Sequence, residues 1–280
     1  MRNGLTVFLD ALRSVLSAPG PALRIVAVPS LVRLALDLFI ELGGDPEAPL
    51  ATVLVTLADV IFVAMVAVGW HRFRLLNEMP GLFGPRPAPG RMAKYGVEWV
   101  VLGIFVAILL VLIFVPLIVL EYCCLPAGTL TRWLVGSEFV FDQFSVNGLL
   151  VSTLCIWLFT WMFFRLALGL PHLAVRAADE ARLASWALTA RLEPAALVCA
   201  ALAMIGTLLL WGPSFWAYDL LPETWVFGYI PPEGSYEPYR FSIGYLALIQ
   251  VCFTLQVILG AAILTELYRD ARTAAETPTG

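Results

Sequence analysis

The chain has 280 residues, 60% of them hydrophobic and only 14% charged, with a formal net charge of -4. A soluble domain of this length carries about 25% charged residues. Here charge is missing from several windows long enough to cross a bilayer, which takes about 20 apolar residues in a helix, so the composition excludes a water-soluble domain and points to an all-α, polytopic membrane protein, one integral domain over 1–280.

The first element expected is a helix over 4–17. Leu5, Phe8, Leu9, Leu12, Val15 and Leu16 recur at i, i+3, i+4 and i+7, with Thr6, Asp10, Arg13 and Ser17 opposite. That is the pattern of an amphipathic helix lying along a membrane surface. Asp10 and Arg13 interrupt any signal-peptide core, and no small-residue cleavage site follows a clean apolar run.

Six transmembrane spans follow, over about 22–40, 51–70, 97–120, 149–168, 194–218 and 241–267. The first carries Arg24, Arg33 and Asp37 and is interrupted by Pro29; the second has Asp59 near its middle. The third, VEWVVLGIFVAILLVLIFVPLIVL, is apolar throughout after Glu98.

The loops between spans alternate in charge. The 71–96 loop holds Arg72, Arg74, Arg86, Arg91 and Lys94 against Glu78, and the 171–193 loop holds Arg176, Arg182 and Arg191, with Arg165 just before it. On the other face, Glu41, Asp45 and Glu47 have no basic neighbour, Glu121, Glu138 and Asp142 have only Arg132, and Asp219, Glu223, Glu233 and Glu237 have only Arg240. Arginine and lysine in short loops favour the cytoplasm. The expected threading is therefore N-in and C-in, and it requires the charged first span to cross. Lys94 is the sole lysine, the bias of a GC-rich genome.

Three even-numbered spans end in aromatic-plus-arginine signatures: Trp70-His71-Arg72, Arg165 behind Phe163-Phe164, and Tyr268-Arg269. Such residues form the belt at a membrane interface, with the arginine stem in the apolar layer and its head among the headgroups. Pro171 ends or kinks the fourth span. The segment 174–192 mixes Arg176, Asp179, Glu180, Arg182 and Arg191 with Leu183, Trp186 and Leu188, too charged to span, and reads as a second surface helix.

Two stretches, WHRFRLLNEMPG after the second span and FFRLALGLPHLAVRAADEARLASWALTARL after the fourth, resemble a group of uncharacterised six-helix inner-membrane proteins of alphaproteobacteria. The resemblance rests on Trp70, His71, Arg72 and Phe73, then Arg165, Leu170, Pro171, Ser185, Trp186 and Thr189. Pro-His-Leu stands where a small residue usually follows the proline, and Arg191 where a glycine often closes the pattern. The resemblance implies a multi-pass protein of a bacterial inner (plasma) membrane and no assigned activity.

Ionisable residues inside spans are functional candidates by default. Counting along the threaded spans, Arg33 lies roughly 12 Å from the outer end of its helix at 1.5 Å per residue. Asp59, Thr207 and Gln250 fall near the same level. Arg33 and Asp37 are i, i+4 neighbours. The bland reading is a buried pair, Arg33 with Asp59 or Asp37, tying helices together. The sharper one is a polar layer on a solute or proton path.

No catalytic constellation is visible. His71 and His172 have no third ligand at metal spacing. Cys123, Cys124, Cys155, Cys199 and Cys252 show no zinc pattern, and Ser185 and Thr189 lack a basic partner set. The outer loop 211–241, rich in tryptophan, tyrosine and proline, reads as an aromatic belt with a stiff cap or as a contact surface. There is no Gly-rich phosphate loop and no basic nucleic-acid patch. The expectation is a non-enzymatic membrane protein without cofactor or metal and without a nucleic-acid partner. It would sit in the lipid bilayer, with other membrane proteins as candidate partners, as an accessory, assembly or scaffold component of a complex. The alternative is a small-solute or ion transporter that uses the Arg33/Asp59 layer.

Overall fold

The computed structural model describes residues 2–43, 49–81, 89–124, 146–175, 193–220, 226–228 and 240–276. Among the described residues the fold is all-α but for one short antiparallel strand pair.

Helix α1 runs Gly4–Leu16. Asn3 caps it, its Oδ1 accepting from the Thr6 N–H at 2.8 Å, which satisfies one of the orphan donors of the first turn. Its buried residues are Gly4, Val7, Ala11 and Ser14, a stripe of small side chains distinct from the leucine stripe the sequence emphasises. Small residues let backbones approach closely. A Cβ on Gly4 would stand 2.6 Å from both the Ala195 carbonyl oxygen and the Val198 Cβ.

Helix α2 spans Pro19–Gly43, with Pro29 inside it, and α3 spans Pro49–Leu76. Asn77, in the left-handed region at φ 55°, ends α3, a conformation asparagine tolerates better than most residues. Helix α4 covers Pro89–Cys124 and begins well before the apolar run at Val97. Helix α5 covers Val146–Leu166, α6 Gly169–Val175 and α7 Glu193–Leu220. Strands β1 (Val226–Gly228) and β2 (Arg240–Ser242) pair with Phe227 opposite Phe241, and α8 runs Ile243–Glu276.

The break between α5 and α6 has a local cause. Pro171 has no N–H to give the Ala167 carbonyl, and its ring would collide with that carbonyl in a continuous helix. The Ala167 oxygen instead accepts from the Leu170 N–H at 2.9 Å. The chain bends by 42° there, and Pro171 falls in the first turn of a new helix, where no donor is required.

Four helical segments among the described residues are long and apolar enough to cross a membrane: Pro49–Leu76, Pro89–Leu112, Pro194–Gly212 and Gly244–Ala274. The bent pair Thr153–Leu166 and Gly169–Val175 makes a fifth when taken as one span. Helix α2, which carries Arg24, Arg33 and Asp37, is not among these segments. The outer surface is apolar, with Val97, Ile104, Ile108 and Leu209 among the exposed side chains, as lipid-facing helices require.

Cross-helix bonds define the packing. Asp59 of α3 and Gln250 of α8 both meet Arg33 of α2, while His71 of α3 meets Thr265 of α8 and Arg74 meets Arg269. Helices α3 and α8 thus run in the same direction. Ser30 opposes Thr254 and Arg33 opposes Gln250, so α2 runs against them. The core is concentrated where Trp70, His71, Tyr95, Leu168, Ile263 and Leu267 are enclosed. Helix α1 packs there against α7 and α8, and Arg2 reaches Asp270 at 2.6 Å, so both ends of the described chain lie at the same end of the bundle.

Candidate functional site

The polar layer is assembled from three helices. On α3, Asp59 and Phe62 sit one turn apart; on α8, Gln250 and Phe253 do the same, with Thr254 a turn beyond Gln250. Phe62 and Phe253 meet with ring centroids 5.3 Å apart. This sets acid and amide side by side facing α2, which supplies Arg33. The Arg33 Nε–H donates to Asp59 Oδ1 at 2.5 Å. Its Nη1 donates to Asp37 Oδ2 at 3.1 Å and to Gln250 Oε1. The guanidinium carbon lies 4.5 Å from the centre of the Phe253 ring, a cation–π distance. Gln250 Nε2 donates to Thr254 Oγ1 at 3.4 Å, and the Thr254 and Ser30 hydroxyls are 3.0 Å apart.

The arginine side chain is 11% exposed and that of Asp59 32%. One guanidinium thus serves two carboxylates and an amide. Among the described residues its partners come from α2, α3 and α8. Thr207, on α7, is not one of them. Ser30 and Thr254 join the layer without having been singled out from the sequence. Their i, i+3 and i, i+4 spacings from Arg33 and Gln250 are the signal that could have found them.

The aromatic–arginine positions occupy different surroundings. Trp70 and His71 are fully buried inside the bundle. The Thr265 hydroxyl donates to the Ala261 carbonyl at 2.7 Å, which leaves its oxygen to accept from His71 Nδ1 at 2.8 Å. His71 Nε2 then accepts from the Tyr95 hydroxyl at 3.2 Å. This network assigns the Nδ1–H tautomer of a neutral ring. Arg72 clamps Glu78 with two bonds, 2.8 and 2.6 Å, and donates to the Ala174 carbonyl at 3.1 Å near the end of α6. Arg165 stands 5.8 Å over the Trp161 ring. Pro171 is buried in α6, and beside it His172 Nδ1 lies 2.9 Å from the Tyr268 hydroxyl.

At the same end is an ionic cluster that the sequence reading did not see. Arg2 bonds Asp10 at 2.7 Å, Asp270 at 2.6 Å and Glu266 at 3.3 Å. Glu266, with only 6% of its side chain exposed, also meets Arg269 at 2.8 Å and Arg74 at 3.8 Å. The hydrogen bond that Arg2 donates to the Asp270 carboxylate holds the guanidinium above its ordinary range. Two of its partners lie more than 260 positions away in sequence, and no local spacing could announce them.

Cys155, Cys199 and Cys252 are free thiols. Among the described residues no three histidine, cysteine or acidic side chains converge as metal ligands. The side chains of Cys123 and Cys124, the surface segment beyond Val175, and most of the 211–241 loop lie outside the described residues.

The long apolar helices define the class, an α-helical membrane protein. Comparison with the families of known proteins, with curated proteins and with solved structures finds no match.

Proposed function

We propose that the chain is a six-span protein of a bacterial inner membrane, with both termini cytoplasmic, that acts without catalysis as an accessory, assembly or scaffold component of a larger membrane complex. The observation that carries this reading is the self-satisfaction of the Arg33 layer. Its cation is engaged by Asp59, Asp37 and Gln250 and covered by Phe253. Such a closed arrangement ties helices together and offers little to a passing solute. It also supports α2 as a sixth span, because charges that are paired inside a bundle can lie at membrane depth. The loop-charge alternation supports the orientation, and the resemblance to six-helix inner-membrane proteins supports the compartment.

One observation favours transport as the second reading: the Asp59 side chain is about three times as exposed as that of Arg33, which makes this carboxylate the more accessible member of the pair. Purification from native membranes in mild detergent, with identification of co-purifying proteins, separates the two. A stoichiometric partner is expected. A lone protein that retains a small solute would overturn the accessory reading in favour of transport.

A further inference from the structure

Helix α1 has three faces, and the one turned away from the protein is not polar. At 100° per residue, Gly4, Val7, Ala11 and Ser14 form the buried stripe. Leu5, Leu9, Leu12 and Leu16 project about 150° away from it, and all four are exposed, Leu16 by 69%. A helix packed on a water-soluble core shows the reverse, with polar residues opposite the buried stripe. The polar residues Thr6, Arg13 and Ser17 are confined to one narrow edge.

The helix also lies where candidate spans end. Gly4 abuts Ala195, at the start of the Pro194–Gly212 segment, and Arg2 bonds Glu266 and Asp270, in the last turns of Gly244–Ala274. Along this boundary the acids are consumed from within: Asp10 is taken by Arg2 at 2.7 Å and meets Arg13 only at 3.8 Å. The Arg13 side chain is 82% exposed. Just past Pro19, the exposed Leu23 and Arg24 repeat the combination of leucine beside arginine.

We propose that the α1–α2 elbow is a docking surface for an anionic phospholipid leaflet. Leu9, Leu12, Leu16 and Leu23 enter the acyl-chain boundary, and Arg13 and Arg24 take phosphate headgroups. This rests on the reading that the long apolar helices cross a membrane. Leucines embedded at the boundary with arginines at headgroup level are the arrangement by which interfacial helices bind anionic lipid. The surface sits beside the spans, so the same bilayer supplies the occupant.

The test uses the full chain reconstituted in vesicles of phosphatidylglycerol and phosphatidylcholine, with a small fraction of phosphatidylglycerol that carries a photoreactive acyl chain. Adducts are located by peptide mass spectrometry. Labelling is expected in the Leu5–Leu16 peptide as well as in the apolar stretch of α4. The Arg13→Gln/Arg24→Gln variant should lose α1 labelling by at least about fivefold, given the attraction of each basic residue to an anionic surface, while α4 labelling stays unchanged. Label in α4 with none in α1 overturns the proposal alone. Absence of label from both overturns the membrane reading with it. Equal α1 labelling in wild type and variant overturns the headgroup assignment. Photocrosslinks from benzoylphenylalanine at position 16 to a second copy of the chain, in place of lipid, would make this face a protein interface.

Discussion

Arg2 and Asp270 stand 268 positions apart in the chain and 2.6 Å apart in the fold. Their contact closes the first helix onto the last, and it does so beside Glu266, which is almost fully enclosed and faces Arg2, Arg74 and Arg269.

The two sides of this latch are not equivalent, because Arg2 is a third exposed and Glu266 only 6% exposed. Arg2→Gln removes a partly solvated cation; Asp10 keeps Arg13 and Glu266 keeps Arg74 and Arg269, but Asp270, 12% exposed, loses its arginine, so the cost should be about 1–3 kcal/mol. Glu266→Ala leaves three arginines without their shared acceptor and should cost about 3 kcal/mol or more. Thermal denaturation in detergent should show that order. Limited proteolysis near Arg13 should accelerate in both variants. Equal stability of Glu266→Ala and wild type would mean that the latch does not form.

The α1–α7 contact can be probed by two glycines of opposite character. A methyl group on Gly4 would collide with the Ala195 carbonyl and Val198, whereas one on Gly20 meets nothing within 4 Å. Gly4→Ala should therefore destabilise, by about 1–3 kcal/mol as overpacking does. Gly20→Ala should be neutral or stabilising by up to about 1 kcal/mol through helix propensity. A Gly4→Ala protein as stable as Gly20→Ala would show that α1 does not pack this closely.

Threading is accessible to cysteine labelling of intact cells. A cysteine placed at Asp45 or Gly234 should react with an impermeant reagent from outside, and one at Pro87 or Ala274 should react only after lysis. External labelling at Pro87 would reverse the arrangement. Labelling at Asp45 that appears only after lysis would remove α2 from the spans.

The difference between what could and could not be read from sequence is physical. Long apolar helices announce themselves, because each satisfies its backbone internally and needs only length and hydropathy to be recognised. Depth counting brought Arg33, Asp59 and Gln250 to one level, since helical rise is fixed at 1.5 Å per residue. It could not choose which faces meet, so Thr207 was included and Thr254 and Ser30 were not. The leucine stripe of α1 was legible as amphipathic. That its partner on the protein side is the small-residue stripe Gly4, Val7, Ala11 and Ser14 depends on where α7 and α8 lie. Trp70 and His71 looked like interface residues because aromatic-then-arginine is an interface pattern. They are enclosed because α4, α6 and α8 converge on them, a tertiary fact with no local signature.

The last prediction concerns Arg33 and its acids. Sequence spacing suggests a pair, and the geometry is one cation between two carboxylates. The single substitutions should then differ. Arg33→Leu takes the shared cation away from Asp37 and Asp59 and should cost about 3–5 kcal/mol, as for removal of one member of a buried ion pair. Asp59→Leu leaves the guanidinium with Asp37, Gln250 and the Phe253 ring, and should cost about 1–3 kcal/mol, the range for a lost charged hydrogen bond. The Arg33→Leu/Asp59→Leu double variant should recover part of the arginine loss, because Asp59 no longer presents a carboxylate without its cation. Adding Asp37→Leu should recover more, since replacing a whole buried ionic group with apolar side chains is often close to neutral. Thermal stability of the four variants in detergent measures the coupling directly. Losses that add within about 0.5 kcal/mol would dismiss the cluster, because groups that share one partner must be non-additive.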